Sequence, residues 1–267
     1  MKICSWNIGW THANKKKREN NEEKELRIRK NNKRATVAEA ILNAEKADVL
    51  TLLESGDAYS PDILGYKKFF LDRKYLYKGF NNGILLYIKE CYSPVVCEES
   101  LQEFKDNKIG CFLPITLTGN EGTLNCLFVW TTMKYGENGE TDPYGFNRFN
   151  EIFFTTNFPK TKEFIDGNKN NVIIIGDFNI VYKENDIKLD RKKRWQTLIK
   201  LMEDSGLLWM KNVENTFNNN IINDHCFVSI KLHPKTNLVV GNDSYEEIKS
   251  DHRMITINIS LDTRTFW

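Results

Sequence analysis

Long apolar runs are what this sequence lacks most plainly: nowhere in its 267 residues does one approach the ~18 needed to cross a membrane as a helix. No Pro/Gly/Ser-rich stretch divides the chain, and its six prolines are scattered. A single domain over residues 1–267 is therefore expected, large enough to bury a sizeable core. The six cysteines (Cys4, Cys91, Cys97, Cys111, Cys126 and Cys226) form no CxxC pair. That argues against a zinc site or a disulfide framework, and Cys4, Cys126 and Cys226 read as buried thiols within strands. The first apparent strand begins at residue 2, which leaves no room for a secretory leader, so a reduced, cytoplasmic protein is expected. Neither sign of charge dominates. With 38 basic and 36 acidic residues the net charge is +2, and composition alone announces no nucleic-acid binder.

What the sequence does have is a set of short apolar runs ending on oxygen-bearing side chains. Residues 171–179 read NVIIIGDFN. Four apolar β-formers closed by Gly176 predict a buried central strand over 172–175. Asp177 and Asn179 then stand at its C-terminal end, where ligands collect in layered α/β folds. A strand running into an ordinary Asp-Asn turn would read the same way. The pattern recurs, however. Residues 2–8 (KICSWNI) carry Asn7, residues 48–55 (DVLTLLES) carry Glu54, and residues 124–134 (LNCLFVWTTMK) end on Thr131, Thr132 and Lys134. Ser250, Asp251 and His252 precede a last strand over 254–259. Carboxylates, carboxamides and one imidazole at strand margins suit a hard divalent cation such as Mg²⁺ or Mn²⁺.

Taken in order, WN near the start, LLES, GDFN, and SDH near the end resemble the endonuclease/exonuclease/phosphatase superfamily. That group includes exonuclease III-like repair nucleases, pancreatic-type deoxyribonuclease, sphingomyelinases and inositol-phosphate phosphatases. The likeness runs from Trp6 to His252 and is nearest to small microbial members with a VWT strand, here residues 129–131. Residues 222–227 (INDHCF) resemble the family's Asp-bearing strand and place that Asp at Asp224. The resemblance implies a four-layer α/β/β/α sandwich with two facing mixed, largely antiparallel sheets. It also implies Glu54 as principal metal ligand with Asn7 and Asp251 beside it, and a His252–Asp224 pair facing the phosphate. Asp177 and Asn179 would orient water or steady the transition state, and either Asp177 or His252 could be the general base. Many members carry a His or Tyr just after the VWT strand; here Lys134 and Tyr135 are the candidates to touch a phosphate oxygen.

Two basic clusters follow strand ends. Residues 15–34 hold ten basic and four acidic side chains, a local charge of +6 that leaves −4 for the rest. Residues 190–194 read DRKKR, ahead of a helix expected over 195–205. Arg191, Lys192, Lys193 and Arg194 are candidates to hold a polyanion, although charge runs also serve simply as solvated faces. Residues 67–77 mix aromatics with lysines, a pattern shared by base-stacking platforms and by amphipathic strands with snorkelling lysines. Helices are expected over 35–44, with Val37, Ile41 and Ala44 inward, and over 147–158, stopped by Pro159. His12, His225 and His233 receive no catalytic role.

These residues lead to a metal-dependent phosphodiester hydrolase, foremost a nuclease acting on DNA or RNA as a monomer. The alternatives are a phosphatase or phosphodiesterase on a nucleotide or lipid head group, and an inactive nucleic-acid-binding module.

Overall fold

A computed structural model of the chain describes residues 1–8, 37–55, 60–72, 83–97, 110–131, 154–155, 158–183, 188–211, 214–216, 221–241, 243–245 and 248–260. The basic segment 15–34, His12, Lys134, Tyr135 and most of 147–158 lie outside these residues.

The chain opens with β1 (Lys2–Asn7), helix α1 (37–45), β2 (Val49–Ser55), β3 (Tyr66–Asp72) and β4 (Gly83–Lys89). β5 (Ser93–Val96), β6 (Gly110–Gly119), β7 (Gly122–Thr131), α2 (Phe158–Asn168) and β8 (Val172–Tyr182) come next. Then follow α3 (Leu189–Asp204), β9 (Leu207–Trp209), β10 (Ile222–Ser229), β11 (Thr236–Val240), the short pair β12 (Ser244–Tyr245) and β13 (Ile248–Lys249), and β14 (Ile255–Ile259). Two six-stranded sheets result, in the orders β11-β14-β1-β2-β4-β3 and β5-β6-β7-β8-β10-β9.

Most neighbours are antiparallel, but each sheet has one parallel pair near its centre: β1 with β2, and β7 with β8. Parallel neighbours need a crossover. α1 lies in the first crossover and α2 in the second, each on the outer face of its own sheet. The layers are therefore α1, first sheet, second sheet, and α2 with α3. The C-terminal ends of both parallel pairs carry the oxygen-rich residues.

Period-2 alternation sorts side chains between the layers. Ile3, Val49, Leu53, Ile173, Ile175, Cys226 and Val228 fill the space between the sheets. Trp6, Leu50 and Leu52 face α1, while Ile174, Phe178 and Phe227 face the other helices. On α1 the buried stripe is Val37, Ala38, Ile41 and Leu42, whereas Ala44 is exposed. Residues 66–72 form β3, which among the described residues pairs with β4 alone; 73–77 lie outside those residues.

Three expectations need correction. β8 does not end at Ile175 but runs to Tyr182, so GDFN lies within the strand. Gly176 is needed there because β7 approaches closely: at φ 145°, a Cβ would sit 1.9 Å from the Val129 carbonyl oxygen. Pro159 does not stop a helix; it is the second residue of α2. A proline is tolerated in the first turn, where N–H groups have no intrahelical acceptor. α3 begins at Leu189 rather than at Trp195, so the 191–194 cluster is helical. At 3.6 residues per turn its four side chains fan around the axis. Arg191 and Arg194 are half-buried, and Lys192 and Lys193 are exposed.

Candidate active site

The site forms where inward-facing rows of core side chains change from apolar to polar. On β8 the row Ile173, Ile175 continues to Asp177, which is 1 % exposed. On β10 the row Val228, Cys226 continues to Asp224, the register partner of Asp177. On β1 the row Ile3, Ser5 continues to Asn7, and β1 faces β8 across the sandwich. The same alternation that builds the core therefore delivers two carboxylates and a carboxamide to one buried place.

Burying a carboxylate without partners is costly, by several kcal/mol in a folded protein. Asp177 has three donors: Asn7 Nδ2 at 2.9 Å, Asn179 N at 2.8 Å and Asn179 Nδ2 at 3.1 Å. Asn179 can turn back onto Asp177 because its φ is 49°, and its amide also donates to the Thr131 carbonyl at 2.5 Å. His252 joins from the loop before β14, with Nδ1 2.8 Å from Asp224 Oδ2 and Nε2 4.0 Å from Asp177 Oδ2. The ligand atoms of Asp177, Asp224 and His252 all lie within 4.8 Å of one another.

These groups perturb one another. Burial disfavours the charged form of His252, but the charge and hydrogen bond of Asp224, then Asp177 and Asp251, outweigh it and hold the imidazole protonated well above its usual range. Burial raises the Asp177 carboxyl; His252 opposes that rise, and the charges of Asp224 and Glu54 add to it. Within this trio the imidazolium already serves as the cation between two carboxylates.

Glu54 reaches the site by a different route. Alternation would send it outward with Leu50 and Leu52. At Glu54, however, φ is 55° and the β2–β4 register shifts between Leu53 and Ser55. Such an irregularity re-aims a side chain. The carboxylate instead meets Trp130 Nε1 of the other sheet at 3.2 Å. Lys46, Glu54 and Asn179 are the non-glycine residues with positive φ among the described residues, so two of the three are site residues.

The donor set fits a hard divalent cation. Glu54 and Asp177 provide carboxylate oxygen close enough for their charges to interact, and Asn7 brings an amide. Asp251 is exposed, and its charge is felt at His252.

Four supporting residues carried no role in the sequence reading. Ser250 donates to the Asn7 carbonyl at 2.5 Å and accepts the His252 N–H at 3.0 Å, joining β1 to the histidine loop. Trp6 Nε1 donates to the His252 carbonyl at 2.9 Å. Thr216 Oγ1 accepts the N–H groups of Asn223 and Asp224, both at 3.2 Å, while its carbonyl accepts Arg253 N at 2.7 Å. Trp130 holds Glu54. Ser250 and both tryptophans lie inside the motifs that carried the resemblance; Thr216 had no signal beyond lying in a loop. His225 points away from the site, toward α3, with Nε2 2.7 Å from the Ile180 carbonyl.

No protein-family model matches the sequence, and no curated protein does. Solved structures do match in fold. An AP endonuclease from Leishmania major aligns with a TM-score of 0.64 at 16% identity, covering 96% of this chain and 86% of that one. The endonuclease domain of TRAS1, a telomere-specific non-LTR retrotransposon, gives 0.62 at 10% identity, covering 97% and 98%. The human Nocturnin catalytic domain with bound sulfate gives 0.60 at 15% identity, covering 97% and 94%. The fold is that of the endonuclease/exonuclease/phosphatase proteins.

Proposed function

We propose that this chain hydrolyses phosphodiester bonds with the help of a divalent cation, and that its substrate is nucleic acid, DNA or RNA. The observation that supports this most directly is the meeting of Asp177, His252 and Asp224, with Asn7 and Glu54 beside them, from five segments scattered over the chain. Fold alone does not fix function; the chemistry of this cluster does the arguing. Endonucleases among the structures of like fold point the same way.

Asp177, with its carboxyl raised by burial, is placed to take a proton from an attacking water. Asn7 and Asn179 fix its two oxygens. His252, oriented and charged by Asp224, faces a phosphoryl oxygen and offers positive charge, or a proton, as negative charge builds there. Glu54, with Asn7 and Asp251 around it, would hold Mg²⁺ or Mn²⁺, which when bound polarises the phosphoryl group and stabilises developing charge. Arg191 and Arg194 on α3, and Lys134 and Tyr135 beyond β7, are proposed contacts to the substrate backbone. The six cysteines are all free, which suits the proposed cytoplasmic setting, and no helix among the described residues is long and apolar enough to cross a membrane. The protein is proposed to act as a monomer.

The test is a hydrolysis screen with Mg²⁺ or Mn²⁺ on abasic DNA, single- and double-stranded DNA, RNA and bis-nitrophenyl phosphate, run beside His252→Ala. Turnover that needs the metal and His252 is expected on a nucleic acid. Salt-dependent binding of nucleic acid without turnover under any metal would replace the hydrolase with a binding module. Activity confined to the small ester would move the substrate to a nucleotide or head group.

A further inference from the structure

Glu54 is held differently from the other two carboxylates of the site. Asp177 is met by three amide donors and Asp224 by an imidazolium. Glu54 Oε1 is met by the indole N–H of Trp130 at 3.2 Å. An indole nitrogen donates and never accepts, so this contact has one polarity. It is also uncharged, and it fixes the carboxylate without neutralising it, which a lysine or arginine in its place would do.

Trp130 is suited to that task by its surroundings. It is fully buried, and its ring packs in the cluster between the sheets with Leu53, Phe128 and Ile175. Its Cα is the register partner of Asp177 on β8. The indole therefore belongs to the second sheet while the carboxylate it holds belongs to the first. Glu54 sits at a positive φ, where its own backbone gives it little conformational support. A rigid donor from the opposite sheet compensates for that.

We propose that Trp130 is the positioning residue of the divalent-cation site: its N–H sets the carboxylate of Glu54 toward the cation, and its indole senses whether the cation is bound. This rests on reading Glu54 as the cation-holding carboxylate. Partners of metal-ligating side chains commonly control affinity by ~10–100-fold.

The experiment uses Mn²⁺ alone, counted by electron paramagnetic resonance, and Mg²⁺ followed on the six indole N–H signals of ¹⁵N-tryptophan-labelled protein. Wild type, Trp130→Phe and Glu54→Gln are compared, with folding checked by circular dichroism. Wild type is expected to bind Mn²⁺, Glu54→Gln to lose that binding, and Trp130→Phe to weaken it by ~10–100-fold at unchanged secondary structure. The Trp130 signal should shift on adding Mg²⁺ in wild type and stay still in Glu54→Gln. If Trp130→Phe binds Mn²⁺ as wild type does while Glu54→Gln does not, the positioning role is overturned and the cation site survives. If Glu54→Gln binds as wild type does, or wild type does not bind, the cation reading and this proposal fall together. Should Trp130→Phe not fold, the wild-type Mg²⁺ titration decides: a motionless Trp130 signal under saturating metal overturns the proposal.

Discussion

Asp224 and His225 are neighbours in sequence, yet they face opposite sides of the second sheet and meet opposite environments. Inward, Asp224 draws His252 into a cluster of carboxylates, where the imidazole is held charged. Outward, His225 lies against Trp195 with ring centroids 4.6 Å apart, near Phe178 and Phe227. Its Nε2 faces a carbonyl, which requires the N–H there, and its Nδ1 has no hydrogen-bond partner among the described residues. Burial pushes its pKa down to about 4. Both rings are buried, so burial does not distinguish them. One is buried among anions and the other among aromatics, and that sets their charge. The same two-residue alternation that makes the sheet separates a reactive histidine from a packing one.

The sharpest way to break this contrast is to remove each ring in turn. His252→Ala should lower turnover by ~10²–10⁴-fold in the folded fraction, because an acid–base group is lost, and should also lower the thermal midpoint, because Asp224 is left buried without its imidazolium. His225→Ala should affect stability alone. It opens a hole among packed rings and should cost about 3 kcal/mol of stability, with near wild-type turnover in the folded fraction. Paired activity assays and denaturation curves check both. Equal loss of activity in the two variants would abolish the distinction.

A smaller change targets the charge rather than the ring. Asp224→Asn removes the carboxylate that most strongly opposes the burial cost of His252. The imidazole should then titrate at much lower pH, and turnover should fall by about 10²-fold. A histidine NMR titration reads the first effect directly. An imidazole that stays protonated as in wild type would mean that Asp177 and Asp251 suffice to hold the charge.

How much of this was readable beforehand divides by the range of the interaction. Asn7, Glu54, Asp177 and His252 each follow or precede a short apolar run, a local signal, and the order of those runs matched a known fold. The positive φ of Glu54 and the indole that holds it left no local trace, because the first goes with a register shift against β4 and the second comes from the other sheet. Length was misjudged where a strong local punctuator had a tertiary explanation. Gly176 reads as a turn in sequence, but it serves close contact with Val129 inside a continuous strand. Pro159 reads as a stop and opens a helix. The basic cluster at 191–194 reads as lying ahead of the helix because the apolar stripe that marks a helix begins only at Trp195.

The subtlest expectation separates the two histidines by pH. His225 has a folded pKa of about 4 against an ordinary 6.5, so as pH falls below 6.5 the unfolded chain takes up a proton that the native state refuses. Its contribution to stability is complete above 6.5 and is lost on the way down to about 4. His252 is raised above 6.5, so its contribution is complete below that value and fades as pH climbs. Glu45, lowered from 4.5 mainly by its hydrogen bond to Lys2, adds its own acid loss only below that value. Near pH 5, therefore, His225 is the group to watch. His225→Phe should change neutral stability little, since removing the unpaired Nδ1 offsets leaving the Ile180 carbonyl without its donor, each worth about 1–3 kcal/mol. Between about pH 7.5 and pH 5 its urea midpoint should gain on that of wild type, because the loss at His225 is removed while the gain on acidification from Asp177, whose carboxyl is raised to about 7, and from His252 is common to both. If the two midpoints move in parallel over that interval, His225 is not the acid-sensitive group, and the outer face of β10 is not the neutral counterpart of the inner one.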